Sequence, residues 1–278
     1  MAFRLTTLAG RAVLIDGDHW HDLEGASQGS FTADPMEAVR RHEELHAVAA
    51  GLGDRVAEGN VAAASFGPPV PHPRSVFAVG LNYPDHVAES SMETPDSPLI
   101  FAKWPSCLVG STADVELASE AGDYEAELVV VIGRGGRDIT VDDAWDHVMG
   151  FTIGQDISDR ALQFAAKPPH FDLGKSRDTY GPCGPAVVST DLIPDPADLA
   201  ITCDVNGERR QSGNTGQLIF DVPTLIAYLS SILTLEVGDL IFTGTPDGVG
   251  AAELKFLTPG DVVETRIAGL GSMRNVCI

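Results

Sequence analysis

The sequence predicts a sheet-rich α+β protein. Most apolar runs are short and bounded by Gly, Pro, Asn or Asp. Glycine is abundant, 29 of 278 residues. Helical periodicity is confined to a few segments, without the regular βαβ alternation of a doubly wound sheet.

Residues 12–15 read as a strand and 34–51 (DPMEAVRRHEELHAVAAG) as a helix. Asp34 is placed to cap that helix, Pro35 suits its first position and Gly51 its end. The following GPPVPHP holds four prolines, which favour an extended linker. The chain therefore divides into a small N-terminal α+β unit (1–66), a Pro-rich linker (67–75) and a larger body (76–278). In the body, strands are expected at 76–80, 99–103, 125–133, 150–156, 186–190, 200–205, 240–243 and 262–267. Helices are expected at 83–91, 140–148, 157–166 and 221–233, the last with Pro223 in its first turn. Asn206-Gly207 marks a hairpin turn. There is no internal repeat.

Charge narrows the function classes. Eighteen Lys and Arg against forty Asp and Glu give a formal charge of -22. Such a chain is repelled by phosphate backbones and by anionic membrane surfaces, so neither nucleic acid nor membrane is an expected partner. No apolar run reaches the ~20 residues that span a bilayer, and the N-terminus lacks a signal-peptide core. Four widely spaced cysteines without a CxxC fit reduced thiols and a cytoplasmic location.

Three acids stand out. Glu125 and Glu127, at i and i+2 of a strand, share a face, and Asp156 ends another apolar strand. Together they suit a hard cation such as Mg²⁺ or Mn²⁺ better than zinc. The alternative is a solvent-facing pair plus a helix cap. Lys175, in the turn-rich GKSRDTYGPCGP, is either an anion-holding group or a surface lysine. His86 and Glu89, at i and i+3, form either a base with its orienting carboxylate or a surface pair. His42-Glu43-Glu44-Leu45-His46 matches HExxH, but no downstream xxGxxH follows and the helix lies in the small N-terminal unit, which weighs against a zinc protease. GRGGR (133–137) and TGTPDGVG (243–250) are weak phosphate signals; the second lacks the Lys and spacing of a Walker A loop.

Taken in order, NYPDH, DYEAELVVVIGR, GFTIGQDISDRALQ, GKSRDTYGPCGP and GDLIFTGTPDGVG resemble the fumarylacetoacetate hydrolase family over about residues 70–278. The resemblance implies a mixed β-sandwich roll, usually paired as a homodimer. It implies Glu125, Glu127 and Asp156 as ligands of Mg²⁺ or Mn²⁺, with Ca²⁺ as a further option. It also implies Lys175 and the lid-borne pair His86–Glu89 as catalytic groups. Lys103 at the pocket rim, Arg160, Gln163 and Thr245 would contact substrate. The implied substrate is a small anionic 2-oxo or β-diketo acid. The expected reaction is hydrolysis of a C–C bond through an enolate, as with fumarylacetoacetate or an acylpyruvate. A 2-oxo acid decarboxylase (oxaloacetate-like) or a dienoate isomerase of aromatic catabolism is the alternative. A catalytically idle metal-binding scaffold is the alternative of another class. The chain departs from the family pattern at Arg177, where relatives often carry an aromatic, and at His170 and Asp172, where they often carry Trp.

Overall fold

The structure is a computed structural model and describes residues 2–278. Its centre is the strand Ala126–Ile132, every residue of which is buried. It pairs antiparallel with Val148–Gln155 on one side and Leu240–Phe242 on the other. Burial on both faces explains the unbroken apolar run in its second half. The sheet continues through Gly181–Ser189 in one direction, and through Val76–Gly80 and Leu99–Lys103 in the other. A second, four-stranded antiparallel sheet runs Glu208–Asn214, Ala200–Val205, Val262–Ile267 and Gly271–Val276. Gln155 links the two sheets by donating its side-chain amide to Thr265. Core residues from both, such as Val129 and Val263, belong to one apolar cluster. This is a sheet-rich α+β sandwich, as expected.

The N-terminal unit is not separate from the body sheet. Its strand Arg4–Leu8 pairs with Gly181–Ser189, so Arg11–Asp16, His19–Asp22 and Gly59–Asn60 extend the same sheet. Phe3, Leu5 and Leu14 join the body's core. The prolines of 67–73 divide the chain in sequence, but the sheet runs past that division.

Several helices are shorter than their periodicity suggests. The segment 34–51 splits at Arg41 (φ -111°, ψ 27°) into Pro35–Arg40 and His42–Ala50. There the Arg41 guanidinium reaches Ser30 O and lies 4.1 Å from the centre of the Phe31 ring. Asp34 does cap, accepting from Met36 N. The expected helix 157–166 yields only Arg160–Gln163, because Ser158–Asp159 pairs first with Gly122–Asp123. The expected helix 140–148 is a single tight turn, Ala144–His147. Val222–Ile232, capped by Asp221, is the longest helix, and among the described residues no helix is long and apolar enough to cross a membrane. The Asn206-Gly207 hairpin holds, with both residues at positive φ (53° and 77°). Glu208–Asn214 was not expected as a strand, since only Gln211 in it is buried and it lies at a sheet edge.

Candidate active site

The strand pairing brings the three acids together. Ala126 is opposite Gln155, and Asp156 N donates to Glu125 O at 2.9 Å, so Asp156 lies beside Glu125. Carboxylate oxygens of Glu125, Glu127 and Asp156 lie within 4.8 Å of one another, and all three residues are buried. The solvent-facing alternative is thereby excluded.

Fixed cations surround them. Lys175 Nζ donates to Glu125 Oε2 (2.7 Å) and Asp156 Oδ2 (2.8 Å). Arg160 donates to Glu125 Oε1 (2.6 Å), to Asp123 Oδ2 (2.8 Å) and to Gln163 Oε1 (2.9 Å). Lys103 is fully buried rather than at the rim. Its Nζ donates to Asp156 Oδ1 (2.6 Å), Tyr180 O (3.1 Å) and Lys175 O, and it does not line the cavity. The expected substrate contact is therefore a support beneath the acids, because the strand Leu99–Lys103 ends by turning this side chain inward.

Four buried carboxylates, with Asp123 included, thus face three fixed cations. Burial works against the charge on Glu125, but Lys175 and Arg160 outweigh it and hold the carboxyl well below the usual range. Glu127 is different. Burial, then repulsion from Asp156 and Glu125, pushes its carboxyl well above the usual range, with Gly244 N donating to it at 2.8 Å. Hard oxygen donors and one under-compensated buried acid fit a divalent cation such as Mg²⁺ or Mn²⁺.

The pair His86 and Glu89 is carried by a short helix, Pro84–Ser90, with Pro84 in its first turn. One turn of helix brings His86 Nδ1 to 2.7 Å from Glu89 Oε1. Glu89 Oε2 accepts from Gly248 N at 2.9 Å, which fastens the helix to the 243–250 loop. A carboxylate at Nδ1 favours the tautomer with the proton on that nitrogen, which leaves Nε2 to accept. Gly248 has φ +96°, and a Cβ there would sit 1.9 Å from Arg210 O. The glycine of TGTPDGVG thus serves a close backbone approach and latches the helix. Thr245 lines the cavity, but its hydroxyl donates to Ala126 O and accepts from Gln211.

A cavity of about 280 Å³ joins these parts, with His86, Glu89, Glu125, Arg160, Gln163 and Lys175 in its wall. Of the loop that departs from the family pattern, Phe164 and Phe171 line the cavity, while His170, Asp172 and Arg177 do not. Arg177 instead pairs with Asp159 at 2.8 Å.

Sequence reasoning overlooked Asp123. It is buried, binds Arg160, and accepts from Gly250 N (2.6 Å) and Ala251 N (3.0 Å). The signal was present, since DYEAE places acids at three alternate positions. Gln155, which accepts from Glu125 N, and Gln211, which accepts from Ala126 N, were also missed. They fix the backbone of the acid strand, and an isolated Gln carries no such signal in sequence.

The HExxH histidines do not converge on a metal. His42 Nδ1 contacts Val39 O, whereas His46 packs edge-on against Phe3 and lies 3.6 Å from Asp191. Among the described residues, the cluster able to hold a metal is Glu125, Glu127 and Asp156. All four cysteines are buried free thiols.

Similarity to known proteins agrees with this geometry. Residues 75–278 match the family description "Fumarylacetoacetate (FAA) hydrolase C-terminal". A relative from Xenopus laevis named oxaloacetate tautomerase fahd2, mitochondrial, is 42% identical over 211 residues, 74% of this chain and 66% of the relative. The chain thus spans about two thirds of that relative's length. A solved protein from Mycobacterium smegmatis, described as a putative HpcE protein, is 43% identical with a TM-score of 0.90, covering 99% of both chains. Maleylpyruvate hydrolase from Sphingobium sp. SYK-6, solved with manganese(II) and pyruvate, is 29% identical with a TM-score of 0.82, covering 99% of this chain and 98% of its own.

Proposed function

The chain belongs to the fumarylacetoacetate hydrolase family, and from that premise we propose that it is a divalent-metal-dependent enzyme that moves a proton on a small 2-oxo acid, interconverting keto and enol forms. The observation that carries this reading is that His86, oriented by Glu89, lines the same cavity as Glu125 and Lys175. A base and a cluster of fixed charges then face one substrate.

Glu125, Glu127 and Asp156 would hold the cation, and a bound Mg²⁺ or Mn²⁺ supplies Lewis-acid polarisation of the 2-oxo group. His86 Nε2 takes the proton from the carbon beside that group, and Glu89 offsets the charge gained by the imidazole. Lys175 and Arg160 offset the negative charge that develops on the substrate oxygen. Returning the proton from His86 to oxygen or to carbon completes the interconversion in either direction. The helix Pro84–Ser90, latched by Glu89 to Gly248, holds His86 at the cavity wall.

This reading departs from the C–C hydrolysis preferred on sequence. The Xenopus relative is named a tautomerase, and proton transfer needs only the base and polarising groups described. Hydrolysis remains a second reading, favoured by the likeness to maleylpyruvate hydrolase. The test follows enol absorbance of a 2-oxo acid with Mn²⁺ and with EDTA, while products are separated. Metal-dependent loss of enol without new products supports tautomerisation, and pyruvate release from an acylpyruvate would shift the reading to hydrolysis. No metal-dependent change in either assay would overturn both and leave a catalytically idle scaffold.

A further inference from the structure

We infer that the substrate is a 2-oxo acid whose tail is uncharged and apolar, rather than a dicarboxylate; this rests on the reading of a metal-assisted 2-oxo acid enzyme. Among the described residues that line the cavity, the basic side chains are His86, Arg160 and Lys175. Each is already committed. Lys175 bonds Glu125 and Asp156, Arg160 bonds Asp123 and Glu125, and His86 bonds Glu89. Together with the divalent cation that the three acids would hold, they can compensate the single carboxylate that accompanies a 2-oxo group, and among the described residues no further cation lines the wall for a second.

The neutral polar groups offer little more. Ser90 donates its hydroxyl to Val87 O, Thr245 donates to Ala126 O, and the Gln163 carbonyl accepts from Arg160. Among the described neutral side chains of the wall, the Gln163 amide is left to donate, a neutral group where a carboxylate tail needs a charge.

Much of the remaining wall is apolar. Phe101 and Phe171 pack with their rings tilted by 48° and 5.9 Å between ring centres, and Phe101 also lies 5.4 Å from Lys175 Nζ. The apolar surface is therefore continuous with the charged end. Phe164 and Met92 line the same cavity while 52% and 43% exposed. Large apolar side chains left open beside a cavity gain by being covered with an apolar tail, whereas a carboxylate placed there loses hydration without gaining a partner. An aryl or branched alkyl group suits this wall.

The test compares enol–keto interconversion of phenylpyruvate and oxaloacetate by the full chain with Mn²⁺. The expected result is a kcat/KM for phenylpyruvate at least about tenfold above that for oxaloacetate, the range an apolar contact set supports. Phe164→Arg places a cation at an exposed position and should narrow that ratio, mainly through KM for oxaloacetate. Equal turnover or a preference for oxaloacetate in the unaltered protein would overturn the apolar-tail inference and leave the proton-transfer reading standing. Metal-independent behaviour or inertness toward both substrates would overturn that reading, and this inference with it.

Discussion

Asp123 and Arg160 form a buried ion pair, Nε to Oδ2 at 2.8 Å, through which the acid strand grips the wall of the cavity. The same Asp123 carboxylate accepts from the first two backbone amides of Gly250–Glu253, so one side chain ties three segments together. Asp123→Asn keeps the shape but leaves Arg160 short of a counter-charge. Breaking a buried pair in this way costs about 3 kcal/mol or more. The expected outcome is a fall in Tm of several degrees, together with a raised KM for the 2-oxo acid, because Arg160 is then drawn wholly to Glu125. An unchanged Tm and KM would show that the backbone amides alone organise this wall.

Glu127→Gln should change sign with metal. Glu127 is a buried acid whose nearest charges include the like-charged Asp156 and Glu125, and neutralising it removes that repulsion. The metal-free variant should therefore be at least as stable as the parent. The parent should gain about 2.7 kcal/mol from Mn²⁺ at a hundredfold excess over Kd, and the variant should gain much less. Thermal denaturation of both proteins, with Mn²⁺ and with EDTA, reads this directly. A metal-induced shift retained in the variant would remove Glu127 from the ligand set.

The acids were legible in the sequence because alternation in a strand is a local rule, and Glu125 and Glu127 obey it. Asp156 was legible because it ends an apolar strand. The pairing partners of Lys103 and Arg160 were not legible. Lys103 reads as an ordinary end-of-strand lysine, and only the fold puts Asp156, 53 residues away, against it. The continuous sheet was hidden for the same reason. The pairing Leu5↔Val187 depends on contacts far apart in the chain, while the intervening prolines are a local signal for a boundary. Phe164 lies near the end of a segment read as a helix and Phe171 in a stretch with little periodicity, so their place in the wall emerges only from the way Gln163 and Gly174 pack together.

Stability should depend on acid pH through Asp159. Burial works against its charge, but the hydroxyl of Ser119, the amide of Leu162 and the guanidinium of Arg177 together hold the carboxyl below its ordinary value. A carboxyl lowered in the folded state contributes stability that is complete above its unfolded value, near 3.8, and is lost as pH falls through the folded value. Asp159→Asn should therefore lower Tm at pH 7 and narrow the gap to the parent as the pH approaches 3. A gap that stays constant from pH 7 to pH 3 would assign the residue a packing role instead.

The base is best separated from the metal site by comparing two substitutions on one helix. His86→Ala removes the proton acceptor, and general-base catalysis is worth about a hundredfold or more in kcat. Glu89→Gln is milder, because its single amide oxygen can still accept from His86 Nδ1, while the charge behind the imidazole and the Oε2 acceptor for Gly248 N are lost. Its kcat should fall about tenfold, less than for His86→Ala, since the negative charge only stabilises the imidazolium that forms. Neither change touches the oxygens of Glu125, Glu127 or Asp156, so the Mn²⁺-induced rise in Tm should persist in both. If His86→Ala abolishes that rise, the histidine belongs to the metal site. If Glu89→Gln matches His86→Ala in kcat, His86 acts only with the full Glu89 carboxylate behind it, both its charge and its bond to Gly248 N.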